Sequence, residues 1–216
     1  CENKNSIYAF IEIKQLHKFY MKSKNWLQRH KKDMYVQKAK KEDYLTRSAF
    51  KLIEIEKKFK IISNSKQILE LGSSPGGWSQ VICNINKKSS IHAFDLLEMK
   101  FSHENINFFR QDFLKYDFKY FNKKYDLILS DIAPNTTGHQ STDHLKISSI
   151  IQEIISILEY IALQNSSFVF KIWKGSEEKN ILNQLKKQYK KVSYYKPKSS
   201  RKESSEIFIV AENFIV

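Results

Sequence analysis

The chain has 216 residues, of which 41% are hydrophobic and 28% are charged. This length and composition allow one domain with a sizeable core and exclude a chain that is disordered throughout. Two cysteines, Cys1 and Cys83, are too few for a disulfide framework. The formal net charge of +14 favours a polyanionic partner, although a genome rich in A and T would also enrich the chain in Lys, Asn and Ile.

Membrane and metal signals are both missing from the sequence. No apolar run approaches the roughly 18 residues of a transmembrane helix, so we expect no membrane partner. The six histidines, among them His92, His103, His139 and His144, lack the spacing of metal ligands, so we expect no metal site. The chain begins at Cys1 rather than Met, which we interpret as a trimmed form that could have lost a targeting peptide.

The first 46 residues form the most basic part of the chain and have no regular apolar pattern. Their lysines are interleaved with Trp26, Tyr35 and Tyr44, a mixture that is typical of surfaces that bind single-stranded nucleic acid. We therefore predict a helical, RNA-facing arm over residues 1–46 and a globular domain over residues 47–216, with a merely solvated arm as the alternative. The candidate RNA-binding residues are Lys31, Lys32, Lys38, Lys40, Lys41, Arg47, Lys198 and Arg201.

From Ser48 onward, segments with helical periodicity alternate with apolar runs of strand length. This alternation predicts an α/β fold of βαβ units, with helices on both faces of a mostly parallel sheet. The predicted helices span residues 48–59, 78–85 and 147–161, and a further helix contains Ile181 and Leu185. The predicted strands span residues 67–71, 91–95, 106–109, 125–130, 167–172, 192–195 and 206–210.

Polar and charged residues stand where several of the predicted strands end. They are the loop Gly72–Gly77, Asp95, Asp112, Asp131 and Lys171. Parallel strands end at one edge of a sheet, and open α/β sheets bind their ligands beyond that edge. We therefore expect these residues to surround one ligand site.

The loop Gly72–Gly77 and Asp95 indicate a cofactor that contains a nucleoside. Glycines let a ligand approach the backbone after the first strand, and an acid at the end of the second can accept both ribose hydroxyls. A dinucleotide requires G-x-G-x-x-G, whereas this loop has G-x-x-x-G-G and contains Pro75, which lacks a backbone donor. S-adenosylmethionine carries no phosphate, and its cationic groups suit carboxylates such as Asp112 and Asp131, so we predict this cofactor.

At these residues the chain resembles the FtsJ/RrmJ family of S-adenosylmethionine-dependent RNA ribose 2′-O-methyltransferases. The resemblance covers about residues 25–212. It is carried by the stretches Trp26–His30, Asp33–Ala39, Arg47–Leu52, Gly72–Gln80, Asp95–Met99, Ser130–Asn135, Phe168–Lys171 and Lys196–Arg201, together with Glu206. It implies a Rossmann-like class I methyltransferase fold with a seven-stranded, mostly parallel sheet whose last strand is antiparallel, which agrees with the predicted strands.

The resemblance also implies which residues carry out the reaction. The family's catalytic Lys-Asp-Lys-Glu set corresponds to Lys51, Asp131, Lys171 and Glu206, with Lys171 as the proton acceptor. Lys51 and Glu206 would hold the ribose hydroxyl and Lys171 in place, while Asp131 would link the cofactor to the base. The candidate cofactor-binding residues are Gly72, Ser73, Pro75, Gly76, Gly77, Trp78, Asp95, Leu96, Asp112, Phe113 and Asp131.

The formal charge of this Lys-Asp-Lys-Glu tetrad is zero, so the sequence leaves two roles open for Lys171. A neutral amine would accept the proton of the attacking hydroxyl, whereas an ammonium would stabilise the developing alkoxide. We favour the base, with S-adenosylhomocysteine as the product. Two buried salt bridges without chemistry are the alternative, and the agreement of all four residues with one family pattern argues against it.

The substrate implied by the resemblance is a uridine of large-subunit ribosomal RNA, because Trp26–His30 resembles the bacterial and organellar members that act there. We expect ribosomal RNA or the large ribosomal subunit as partner, and a monomeric enzyme. A tRNA methyltransferase is the alternative suggested by Arg47–Leu52, although such members tend to have Ala-Pro-Asp at 133–135, where this chain has Ala-Pro-Asn. A catalytically silent RNA-binding member is a third possibility. The compartment would be a mitochondrion or other organelle for a eukaryotic chain and the cytoplasm for a bacterial one.

Overall fold

The computed structural model describes residues 31–120, 122–133 and 140–215. Its helices are α1 (Met34–Lys41), α2 (Ala49–Phe59), α3 (Gly77–Ile85), α4 (Gln140–Ile161) and α5 (Glu178–Gln188). Its strands are β1 (Gln67–Leu71), β2 (Ser90–Asp95), β3 (Ile106–Arg110), β4 (Tyr125–Ser130), β5 (Ala162–Trp173), β6 (Tyr189–Tyr195) and β7 (Glu206–Phe214). A 3₁₀ turn over Phe113–Lys115 follows β3.

The strands form one seven-stranded sheet in the order β3-β2-β1-β4-β5-β7-β6. The neighbours from β3 to β5 are parallel, whereas β7 is antiparallel to both β5 and β6. The predicted fold class, a mostly parallel sheet with an antiparallel last strand, is confirmed. The carboxyl ends of β1, β2, β4 and β5 therefore share one edge of the sheet, and β7 begins at that same edge.

Apolar side chains on both faces of the sheet are covered by helices. On one face α4 and α5 contribute Ile151, Leu158 and Ile181, and on the other α2 and α3 contribute Leu52 and Val81. Burying a side chain of this size contributes about 1.5–3 kcal/mol to stability. The helix faces that the apolar spacing predicts are thus the faces that hold the helices on the sheet.

Several elements extend beyond their predicted bounds. Helix α4 begins at Gln140, β5 at Ala162 and β6 at Tyr189, and β7 continues to Phe214. The apolar pattern marks only the continuously buried part of an element, and exposed residues interrupt these extensions, such as Gln164 and Asn165 in β5. The predictions that began these elements at 147, 167 and 192, and ended the last strand at 210, were wrong for this reason.

The chain divides into two units between Asp43 and Tyr44 rather than after residue 46. Leu45 belongs to the larger unit, where its backbone N–H donates to Oε1 of Gln80 at 2.8 Å. In the smaller unit, the Asp33 side chain caps α1. Residues 1–30 of the predicted arm, including Trp26, lie outside the described residues. Among the described helices, none combines the length and the apolar character needed to cross a membrane.

Candidate active site

Four charged side chains from separate elements meet at the carboxyl edge of the sheet. Lys51 lies in the first turns of α2, Asp131 follows β4, Lys171 lies near the end of β5, and Glu206 begins β7. The antiparallel register pairs Trp173 with Glu206, so Lys171 and Glu206 are diagonal neighbours on one face of the β5–β7 pair. Lys51 reaches the same place from α2, where its Nζ contacts Glu206, a residue 155 positions further along the chain.

Lys171 is held by two hydrogen bonds to the same residue. Its Nζ donates to Oδ1 of Asp131 and to the backbone oxygen of Asp131, both at 2.8 Å. Only 6% of the Lys171 side chain and 15% of the Asp131 side chain are exposed. Two acceptors in fixed positions leave one tetrahedral direction of the nitrogen for another molecule.

Lys51 and Glu206 form a second ion pair next to the first. The Lys51 Nζ lies 2.8 Å from each Glu206 carboxylate oxygen, and the Ser200 hydroxyl donates to Oε1 of Glu206 at 2.8 Å. The Lys51 ammonium also lies 5.7 Å from the centre of the Phe208 ring. These contacts fix the position of Lys51 at the rim of the site.

Both lysines of the site affect the pKa of the Asp131 carboxyl. Burial by itself raises the pKa of this carboxyl, but the ammonium groups of Lys171 and Lys51 outweigh burial and hold the pKa below its usual value. Asp131 is therefore a carboxylate at neutral pH. Because Lys51 acts on Asp131, the two ion pairs form one electrostatic unit.

The loop after β1 lets another group approach its backbone closely. Gly72 and Gly76 have φ angles of 79° and 113°, a region that favours glycine. A Cβ on Gly72 would lie 2.6 Å from the Ile132 side chain, and a Cβ on Gly76 would lie 2.6 Å from the Phe101 side chain. The loop therefore touches the residue next to Asp131, which places it beside the two ion pairs.

Asp95 shapes this loop from the end of β2. Its Oδ2 accepts the Ser74 N–H and its Oδ1 accepts the Leu97 N–H, both at 2.8 Å. Each carboxylate oxygen keeps a further lone pair. Asp95 can therefore hold the loop and accept ribose hydroxyls at the same time.

The surroundings of the loop fit S-adenosylmethionine. Among the described residues, the buried hydroxyls of Ser73 and Ser130 have no hydrogen-bond partner, which is unusual for buried polar atoms and points to a polar ligand. Beyond Asp95 the Leu96 side chain is 64% exposed, and it offers an apolar surface near Asp112, which follows the adjacent strand. In the part of the chain that is described, no cluster of His, Cys, Asp or Glu could hold a metal ion.

Residues 44–214 match the family model of the FtsJ-like methyltransferases. The chain belongs to this family. It is 40% identical over 201 residues, 90% of each chain, to a protein of Wolbachia sp. subsp. Brugia malayi named ribosomal RNA large subunit methyltransferase E. A protein with the same name from Rickettsia bellii is 37% identical over 215 residues, 94% of each chain. A crystal structure assigned as a ribosomal RNA methyltransferase of Plasmodium falciparum is 30% identical, with a TM-score of 0.69 over 79% of this chain and 98% of that one.

Two of the predicted cofactor residues of this methyltransferase have mainly structural contacts. The Trp78 side chain is 3% exposed, its indole N–H donates to the Ser48 oxygen at 3.0 Å, and its ring packs on Phe208. Because its side chain is buried, Trp78 can reach a ligand only through its backbone. Phe113 is partly buried against the core. Asp112 caps the 3₁₀ turn, where its Oδ1 accepts the Leu114 N–H at 3.1 Å.

The predicted RNA-binding residues fall into two groups. In the larger unit, the Arg47 guanidinium donates to the Ser199 oxygen, and the Glu54 carboxylate accepts the N–H groups of Lys198 and Ser199 at 2.6 and 2.9 Å. These bonds hold the segment after β6 against α2, where the Lys198 side chain is exposed and Arg201 is half-buried. The exposed lysines of the smaller unit are Lys31, Lys32, Lys38, Lys40 and Lys41.

Glu70 in β1 is a residue that the sequence reasoning missed. Its carboxyl is buried, and burial raises its pKa to about 8, with smaller contributions in the same direction from Asp131 and Asp95. The Ser79 hydroxyl donates to it and opposes part of that rise. The sequence signal was present, since an acid inside an apolar strand requires an explanation.

Glu70→Gln should flatten the dependence of stability on pH. The folded protein keeps Glu70 protonated up to about pH 8, whereas the same carboxyl ionises near 4.5 when unfolded. The stability that protonated Glu70 contributes is therefore complete below the unfolded pKa and is lost as the pH rises towards and through the folded one. Glutamine stays neutral and still accepts from Ser79. Thermal unfolding of both proteins across this range measures the effect.

The wild-type Tm should fall relative to that of Glu70→Gln as the pH rises, while the exposed-site control Glu104→Gln should follow the wild type. Parallel wild-type and Glu70→Gln profiles would contradict the assignment of a buried, protonated Glu70.

Asp95→Ala should weaken binding of S-adenosylmethionine. The substitution removes acceptors for two ribose hydroxyls, worth about 1 to 3 kcal/mol in all, which is roughly a 5- to 150-fold rise in Kd. Calorimetry with S-adenosylmethionine and with NAD measures it. Asp117→Ala is a matched control, because exposed Asp117 likewise accepts the N–H two residues on. Tighter binding of NAD than of S-adenosylmethionine to the wild type would contradict the cofactor prediction.

Proposed function

We propose that the protein transfers a methyl group from S-adenosylmethionine to the 2′-hydroxyl of a ribose, at a uridine of large-subunit ribosomal RNA. The observation that carries the chemistry is the Lys171 Nζ, held at 2.8 Å by two acceptors of Asp131 beside the glycine loop. The substrate is supported by the curated relatives, which are named for large-subunit ribosomal RNA and match over 90% or more of the chain. The exposed lysines described above suit an RNA partner.

The proton of the attacking hydroxyl goes to Lys171 in this proposal. S-adenosylmethionine bound beside the glycine loop would supply an electrophilic methyl group, and the electron pair of the broken S–CH₃ bond would stay on the sulfur of S-adenosylhomocysteine. Lys171 is an ammonium in the ion pair with Asp131 and must release one proton to solvent before it can act as a base. The neutral amine then has two N–H bonds and one lone pair, and the two N–H bonds match the two Asp131 acceptors. The lone pair then points in the remaining direction, where a ribose hydroxyl can give up its proton.

The two carboxylates of the site, Asp131 and Glu206, are less suited to accept that proton. Asp131 has a lowered pKa and is already bonded to Lys171. Both Glu206 oxygens contact Lys51, and Ser200 donates to one of them. Lys51 is therefore oriented by Glu206, and we assign the pair the task of holding the hydroxyl next to Lys171.

A direct assay tests the substrate. Labelled S-adenosylmethionine is incubated separately with large-subunit rRNA, small-subunit rRNA and tRNA, each free or in its particle, and the labelled nucleotide is mapped by mass spectrometry. The proposal expects a 2′-O-methyluridine in large-subunit rRNA. Label only in tRNA, or on a base rather than a ribose, would overturn it.

Lys171→Ala should lower the single-turnover rate by about 10²–10⁴-fold while the affinity for S-adenosylmethionine stays close to wild type. Lys171→Arg separates the two possible roles, because arginine stays positively charged and cannot accept a proton. If Lys171 is the base, the single-turnover rate of Lys171→Arg should be as low as that of Lys171→Ala. Near-normal turnover by Lys171→Arg would instead support a cation that stabilises the alkoxide.

The exposed lysines of the arm should contribute to RNA affinity. Replacing Lys31, Lys32 and Lys38 by alanine should reduce the slope of log Kd against log salt concentration by roughly 0.7 for each single-strand phosphate that the arm no longer neutralises, and by about 0.9 on a duplex. Lys186, Lys187 and Lys190, also exposed, provide a matched triple-alanine control. Identical slopes for the wild type and the arm variant would show that the arm does not bind RNA.

A further inference from the structure

We propose that His144 in α4 is a positioning residue for the reaction: its ring clamps the turn between β5 and α5 and thereby keeps Lys171 and Glu206 aligned. The proposal rests on the proposed function, since it concerns the same reaction. It goes beyond that function because His144 contacts neither the cofactor loop nor the four charged residues in the described contacts.

The hydrogen bonds of the His144 ring assign its protons. Nδ1 lies 2.8 Å from the Trp173 backbone oxygen, which can only accept, so Nδ1 carries a hydrogen. Nε2 accepts the backbone N–H of Glu177 at 3.0 Å, with the Ser148 hydroxyl at 3.5 Å. A neutral ring with its hydrogen on Nδ1 can therefore form both hydrogen bonds, one to the Trp173 oxygen and one to the Glu177 N–H.

The middle of the same turn packs directly on the ring. A Cβ added to Gly175 would lie 2.4–2.6 Å from three atoms of the His144 ring, so only glycine fits at this position. The ring itself is buried, with 4% of the residue exposed. His144 therefore contacts the beginning, the middle and the end of the segment from Trp173 to Glu177.

The backbone oxygen that His144 holds belongs to Trp173, which is close to one residue of each ion pair, Lys171 and Glu206. Trp173 lies two positions after Lys171 on β5 and is paired with Glu206 across the β5–β7 ladder. The next N–H, that of Lys174, donates to the Ser205 oxygen at 3.1 Å, next to Glu206. A shift of the Trp173 carbonyl would move both catalytic strands, and a misplacement of about 1 Å can cost about 10²-fold in rate.

Three substitutions at His144 separate the two hydrogen bonds. In His144→Asn the amide nitrogen can take the place of Nδ1 and donate to Trp173, whereas in His144→Gln the amide oxygen can take the place of Nε2 and accept from Glu177. His144→Ala removes both. Because the Trp173 bond is the one next to Lys171, we expect His144→Asn to retain the rate within about 10-fold and the other two to lose about 10²-fold per folded molecule.

His92→Ala is the matched control for loss of a buried histidine. His92 is also buried, and its Nδ1 lies 2.8 Å from the Tyr125 hydroxyl, on a strand that carries none of the four charged residues. The His92→Ala variant should lose thermal stability but keep its single-turnover rate per folded molecule. The affinity for S-adenosylmethionine should be unchanged in every variant.

A readout without RNA separates this inference from the proposed function. The NMR resonance of the Lys171 Nζ, assigned with Lys171→Arg, should shift in His144→Ala and His144→Gln and stay in place in His144→Asn and His92→Ala. If the wild type does not methylate large-subunit rRNA, the proposed function fails, and this resonance still decides the role of His144. An unchanged resonance in His144→Ala, or equal losses of rate in His144→Asn and His144→Ala, would overturn the inference.

Discussion

The buried ion pair between Lys171 and Asp131 is the interaction on which the site depends. An ammonium in a sheet interior costs several kcal/mol unless it is paired and hydrogen-bonded, and here Asp131 supplies both a carboxylate and a backbone oxygen. The pairing is possible because β4 and β5 are parallel neighbours that end at the same edge. The same two bonds that stabilise Lys171 in the fold also leave one tetrahedral direction of its nitrogen for another molecule.

The antiparallel strand β7 completes the site around this pair. Because β7 runs opposite to β5, it begins where β5 ends, and Glu206 at its first position meets Lys51 from α2. Ser200 then ties the segment after β6 to the same carboxylate. On the other side, the glycine loop packs against Ile132, so the cofactor loop lies directly beside the ion pairs.

The sequence predicted the seven-stranded sheet, because buried strands leave apolar runs separated by polar residues. The set Lys51, Asp131, Lys171 and Glu206 came from the family resemblance, and its catalytic role stays a prediction. The sequence did not predict where α4 and β5 begin, because exposed residues interrupt the apolar pattern there, such as Lys146 in α4 and Gln164 and Asn165 in β5. It did not predict the hydrogen bond of His144 to Trp173, which spans 29 positions, because nothing in the local pattern around His144 indicates it. Glu70 left a local signal, but its raised pKa depends on burial and on Asp131 and Asp95, which only the fold brings near.

The most direct test of the account is the structure of the protein bound to S-adenosylhomocysteine and an oligonucleotide of large-subunit rRNA. The account predicts the target 2′-oxygen within about 2.6–3.2 Å of the Lys171 Nζ, with both bonds to Asp131 retained. A complex in which the 2′-oxygen contacts another side chain, and Lys171 keeps no access to it, would contradict the assignment of Lys171 as the base.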